Sequence, residues 1–319
     1  MTRAAATIAC LAVLAPALSG LSPSTAAQQA ATASALDLVG TWTLVTTQTG
    51  VDREKPTSVQ APRGLLILDG GGHVFEVVTR VNRQLPPLSD AQATFATYGG
   101  FWGGYRADVR EKRFTFTPVG AFSPNMMGIE FTRSFELTGD RLTVTSLAGE
   151  PHAQGVTRWT WERVPIVDNL SENYRKVIGF WEHVVEQRIN LTTGVATPEA
   201  KRAPSVIVYT PSGYVGVHFP PLDRKKFASG EPTDEEARAA IRGYVGYFGA
   251  LGVYPGMVFH QILGGISPAA GSTLKRHFTL KEPELNIRFP PGTNNQGQQT
   301  TTLVTLRRLS GEKEMLARR

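Results

Sequence analysis

Cysteine is nearly absent. The 319-residue chain has one, Cys10, which excludes a disulfide scaffold and a thiolate zinc site. Histidine is sparse as well. No two of the six stand two to four residues apart and no His-Glu-x-x-His occurs, so spacing gives no basis for a metal site and no cofactor is expected. Gly-x-Ser-x-Gly, the hydrolase elbow, is missing. Past the first 30 residues no stretch is apolar for 18 residues, so no transmembrane segment is expected. The net charge is a mild +6, and no long basic run carries it. With no aromatic–basic strand motif, nucleic acid is not an expected partner.

What is present reads as a globular chain, 41% hydrophobic and 19% charged. Its length suits two cores rather than one. The first 27 residues read as an address. Arg3 supplies a positive start, Ala4 to Leu18 an apolar run broken by Pro16, and Thr25–Ala26–Ala27 a small-residue cleavage site. We expect a signal peptide over residues 1–27 and a bacterial periplasmic or secreted protein without cysteine. Two glycosylation sequons, at Asn169 and Asn190, are short enough to be chance matches.

The chain then repeats itself. Val39–Gly40–Thr41–Trp42 recurs as Ile178–Gly179–Phe180–Trp181, and Gly72–His73–Val74 as Gly213–Tyr214–Val215. Ser89-x-x-Gln92 recurs as Thr233-x-x-Glu236, Ser123–Pro124 as Ser267–Pro268, and Arg133–Ser134–Phe135 as Arg276–His277–Phe278. The spacing drifts from 139 (Trp42 to Trp181) to 144 (Ser123 to Ser267), as loop insertions in a duplicated domain would produce.

Each copy reads as about eight short strands rich in β-branched and aromatic residues, such as Trp42–Thr47, Val74–Arg80 and Ile129–Leu137. Gly70–Gly71–Gly72 and Gly139–Asp140 read as hairpin turns. Ser89-x-x-Gln92 and Thr233-x-x-Glu236 are capping-box patterns, each opening a helix that Gly99 or Gly243 ends. The expected fold is all-β: two tandem antiparallel barrels, each with one short helix between strands 3 and 4, since closure removes exposed edges. Expected boundaries are 36–164 for barrel 1, 165–175 for a linker with a helical turn at Ser171–Arg175, 176–309 for barrel 2 and 310–319 for a basic tail.

Gly-x-Trp at the head of the first strand resembles the lipocalin superfamily. The ordered set Tyr105, Phe122–Ser123–Pro124–Asn125, Gly128, Arg133–Ser134–Phe135–Glu136–Leu137 and Gly139–Asp140–Arg141–Leu142 resembles the bacterial lipocalin-like domain family. Copy two departs from it: no Asn follows Pro268, and Glu282–Pro283–Glu284 replaces Gly–Asp. The resemblance implies a small barrel with an apolar interior. It implies no common activity.

Alternation along a strand sorts its side chains into two faces. Ile129, Phe131, Arg133, Phe135 and Leu137 share one face, as do Leu274, Arg276, Phe278 and Leu280. Both arginines are therefore expected to point inward, where a guanidinium needs acceptors. One reading has each close a barrel end by bonding carbonyls or stacking on Trp42 or Trp181. The other has it hold a carboxylate, enolate or carbonyl of a ligand. Glu76 aligns with Val217 and is the expected partner of Arg133. His260 aligns with Phe116 and His183 with Leu44. Copy two is thus expected to gather His183, His260 and Arg276, with Tyr209 or Tyr247, in one cavity.

Three functions fit. The first is an exported protein that binds a small hydrophobic molecule in a barrel, with Arg133, Glu76, His183, Tyr209 and Tyr247 at the ligand. The second is a cofactor-free isomerase, cyclase or hydratase in which His260, titrating near neutrality, moves a proton while Arg276 stabilises an enolate-like charge. The third is an interaction module of the cell envelope with filled barrels. Oligomeric state is not legible.

Overall fold

The computed structural model describes residues 34–319 except 52–53, 56, 60–61, 80–89, 149, 151–154, 268–269 and 318–319. The expected leader at 1–27 and the expected cap Ser89 lie outside the described residues.

Barrel 1 is built from β1 (Gly40–Thr49), β3 (Arg63–Leu68), β4 (His73–Thr79), β5 (Tyr98–Asp108), β6 (Arg113–Ala121), β7 (Phe131–Thr138), β8 (Arg141–Ser146) and β9 (Thr157–Arg163). Neighbours pair antiparallel in that order, and β1 closes on β9. A short β2 (Thr57–Val59) adds to the outer end of β1. Barrel 2 repeats the plan with β10 (Gly179–Asn190), β11 (Val206–Tyr209), β12 (Tyr214–Phe219), β13 (Val245–Tyr254), β14 (Met257–Ser267), β15 (Thr273–Lys281), β16 (Glu284–Arg288) and β18 (Gln299–Arg308). Here β10 closes on β18, and a two-residue β17 (Gly292–Thr293) is its extra strand. Both first strands bulge at the same place, between Leu44 and Thr46 and between His183 and Val185. A bulge bends a strand and raises its twist, which helps a sheet close.

One end of each barrel is shut by the same device. The Trp42 indole donates to Leu38 O at the end of a 3₁₀ turn (Ala35–Leu38), and the Trp181 indole donates to Val177 O at the end of α2 (Glu172–Val177). Arg163 lies 3.9 Å over Trp42 and Arg308 lies 4.0 Å over Trp181. These guanidinium groups also bond carbonyls and a carboxylate, Asp140 or Glu282. The end-closing role weighed above for Arg133 and Arg276 thus belongs to Arg163 and Arg308.

Among the described residues the α-helices are short: α1 (Ala91–Phe95), α2, α3 (Asp234–Ile241) and α4 (Glu312–Met315). Thr233 caps α3 as expected, with Glu236 returning the bond. In copy one the cap is Asp90. Gly99, expected to end that helix, lies inside β5. The segment expected as a basic tail is folded to residue 317: Met315 is buried and Glu314 O accepts from Gly70 N in barrel 1. Among the described residues no helix is long and apolar enough to cross a membrane, which says nothing of strands.

The barrels are fused along their outer faces. Leu65, Ile67, Phe75 and Val77, pointing out of barrel 1, belong to the same apolar cluster as Val208 and Phe248 of barrel 2. Phe75 packs where Gly216 has no side chain; a Cβ there would lie 2.6 Å from the ring. Asn125 of the Ser–Pro–Asn motif accepts from Phe227 N at 2.6 Å and donates to Ser229 O at 3.2 Å across the seam. The Trp102 indole donates to Pro204 O, and Arg63 donates to Leu263 O.

Candidate functional site

Strand alternation puts Arg133 inside barrel 1, where its side chain is almost fully buried. Its Nη1 donates to both oxygens of Glu76 at 3.0 and 3.1 Å. Nε and Nη2 donate to Glu150 at 3.1 and 2.7 Å. The guanidinium also stacks 4.3 Å from Trp159 and 4.9 Å from Phe131. Around it Phe101, Phe114, Phe116 and Phe135 form an edge-on and tilted aromatic packing. Burial pushes the Glu76 carboxyl up, against the lowering pull of Arg133. Arg133 and Glu76, expected at a ligand, are therefore corrected to internal partners: their hydrogen bonds are spent on each other and on Glu150, in a lumen filled with rings. Glu150 was not anticipated. It follows β8 in a loop, where no periodicity marks the direction of a side chain.

Barrel 2 keeps the arginine and changes its surroundings. In register, Val217 stands where Glu76 stands: Glu76 pairs with Leu66 and Phe101, and Val217 with Ile207 and Tyr247. Val304 likewise replaces Trp159, opposite Glu186 as Trp159 is opposite Thr47. Tyr247 replaces Phe101, and Tyr209 replaces Leu68, each at the end of its second strand. His260 replaces Phe116, facing Leu274 as Phe116 faces Phe131.

Three of these polar residues join directly. Tyr247 Oη lies 2.8 Å from His260 Nδ1, and Tyr209 Oη lies 3.2 Å from His260 Nε2. All three are buried. Burial first, and the Arg276 charge second, lower the His260 pKa to about 3, and burial raises both tyrosines. The trio is thus neutral at ordinary pH. One phenol accepts from the ring N–H and keeps its own O–H free; the other donates to the bare nitrogen and keeps a lone pair. A proton donor and an acceptor remain for a third molecule in either tautomer. The expectation that His260 titrates near neutrality is corrected: its enclosure by apolar residues and a cation disfavours the imidazolium.

Arg276 lies within electrostatic reach of Tyr209, Tyr247 and His260. Its guanidinium stacks 3.9 Å over Phe289 and donates from Nη1 to Lys275 O at 2.9 Å. Among the described residues no carboxylate pairs with it. Phe289 was missed, although the alternation Leu285–Ile287–Phe289 places it on the inner side. The same ring lines an open cleft of about 590 Å³ with Arg188, Thr293, Asn294 and Thr302.

His183 does not join this group. It sits beside Phe219 at 5.5 Å, with Nε2 buried, without a hydrogen-bond partner among the described residues and 4.0 Å from Glu186. Burial lowers its pKa. Four of the five residues expected in one cavity of copy two are therefore gathered, and the fifth is apart.

The two lumens differ in access. Phe131, Arg133 and Phe135 are buried in barrel 1, whereas the matched Leu274, Arg276 and Phe278 of barrel 2 are only partly buried. The walls near them are apolar: Val258, Ile262, Ile287, Val304 and Leu306.

No curated protein matches the chain. Among solved structures, one of a protein with unknown function from Nostoc punctiforme is similar at 9% identity, covering 85% of this chain and 96% of that one, with a TM-score of 0.23. The model of the lipocalin-like domain matches residues 39–164 and again 178–309; the chain belongs to the lipocalin-like domain family and carries two tandem copies of the domain.

Proposed function

We propose that this protein binds a small hydrophobic molecule in the lumen of its second barrel, with the first barrel as a filled companion that braces it. The observation that carries this reading is the matched comparison within one chain. Phe131, Arg133 and Phe135 are sealed, while Leu274, Arg276 and Phe278 are reachable. A pocket of apolar walls with a few converging polar groups is the usual form of a small-molecule site. Tyr209, Tyr247, His260 and Arg276 supply those groups. A catalytic role for His260 as an acid draws no support from its surroundings, because the imidazole is held neutral.

The test is titration of the full chain with the neutral fluorophore N-phenyl-1-naphthylamine. We expect saturable binding at one site, abolished by Leu274→Trp and unchanged by Leu142→Met in barrel 1. Absence of binding, or loss through barrel 1 alone, would refute the reading. On the sequence of residues 1–27 we further propose export; mass spectrometry of the processed chain should find Gln28 as its first residue.

A further inference from the structure

The two barrels carry the same arginine on the same strand position, but among the described residues only barrel 1 supplies it with counter-ions. In barrel 1 the guanidinium is bonded by Glu76 and Glu150, both buried beside it. In barrel 2 the Glu76 position is Val217, and among the described residues Arg276 bonds a backbone carbonyl, Lys275 O, and no carboxylate. A guanidinium has five N–H donors in a planar fork that matches a carboxylate. A partly buried one with donors to spare and no carboxylate bonded to it among the described residues is costly to keep. The neighbouring groups also fit an oxygen acid, since the Tyr209–His260–Tyr247 trio offers a free phenolic O–H beside the cation.

We propose that the second barrel takes an apolar molecule bearing one carboxylate, and that this carboxylate docks on Arg276 as Glu76 and Glu150 dock on Arg133. The inference rests on the second lumen being the binding compartment and adds the ligand's chemical class. Phe289 holds the guanidinium plane from one side. Val217, Leu274, Phe278 and Val304 face the rest of the molecule, and their lack of charge selects a single anionic head over a polyanion.

Calorimetry of the full chain with decanoate and decan-1-ol, two ligands of equal chain length, tests it. In the wild type we expect decanoate to bind at least tenfold more tightly than the alcohol. Arg276→Met should remove that preference by weakening decanoate at least tenfold while shifting decanol less than threefold. Val217→Glu, which restores the barrel-1 carboxylate, should do the same by occupying the arginine internally. Equal affinity for the two ligands in the wild type overturns the inference without recourse to any variant, and so does a preference that survives Arg276→Met in a folded protein. N-phenyl-1-naphthylamine separates the two levels. If it binds and decanoate does not, the carboxylate assignment fails alone. If none of the three binds, the compartment itself is wrong.

Discussion

Replacing Arg133 by Met keeps much of its length and removes its charge, leaving two carboxylates in a lumen of phenylalanine and tryptophan. In the native protein the guanidinium makes bonds of 3.0 Å to Glu76 and 2.7 Å to Glu150, with both carboxylates less than a tenth exposed. Breaking a buried ion pair from one side costs about 3–5 kcal/mol, mostly because the other charge stays buried. We expect Arg133→Met to lose about that much at pH 7 by urea unfolding. The pH dependence sharpens the test. Glu76 already has a raised pKa in the fold, because burial outweighs the help of Arg133. A raised carboxyl contributes stability that is fully present below its unfolded value and lost as pH rises through its folded one. Without Arg133 the folded value climbs further, so the variant recovers more than the wild type on acidification. The gap should therefore narrow from pH 7 toward pH 5. A loss under about 1 kcal/mol, the range of an exposed pair, or a gap independent of pH, would refute the account of barrel 1.

Further outcomes follow from single contacts. Gly216→Val places methyl groups against the Phe75 ring, already 2.6 Å from a Cβ at that position, and should cost about 1–3 kcal/mol as overpacking, with hydrogen exchange rising along the seam strands β4 and β12. Tyr247→Phe leaves His260 Nδ1 buried without its partner at 2.8 Å and should cost about 1–3 kcal/mol, whereas an unchanged unfolding midpoint would remove the trio from the account. His73 is raised chiefly by its hydrogen bond to buried Asp69, so its contribution is complete below pH 6.5 and lost as pH rises through the folded value. His73→Gln should flatten that part of the stability profile. His218, lowered to about 3 first by burial and then by Arg224, acts with the opposite sign: stability falls as pH drops below about 6.5.

The architecture was legible because duplication prints itself twice. The Gly-x-Trp pairs, the Arg133/Arg276 correspondence and the strand alternation around them depend on local periodicity, and a period of two survives without coordinates. That His260 and Arg276 lie together was legible for the same reason, since one replaces and the other repeats an inner residue of copy one. What failed came from loops and from chemistry. Glu150 lies after a strand, where direction is set by the path of the chain. The Arg163 and Arg308 stacks repeat across the copies, so extending the repeat comparison past Phe135 and Phe278 finds them. Asn125 read as a family signature and turned out to clamp one barrel to the other, a contact between segments about a hundred residues apart that no local pattern encodes. The depressed His260 pKa depends on how completely the trio is enclosed, which composition does not report.

The central claim is that one lumen is sealed and the other receives. Phe135 and Phe278 occupy matched positions, the first 3% exposed and the second only partly buried. In a Cys10→Ser background no other thiol is present, so Phe135→Cys and Phe278→Cys each report one lumen through the rate of reaction with a small thiol reagent under native conditions. The account predicts modification at position 278 at least a hundredfold faster than at 135, and slowed further by saturating decanoate. Equal rates, or faster reaction at 135, would contradict it.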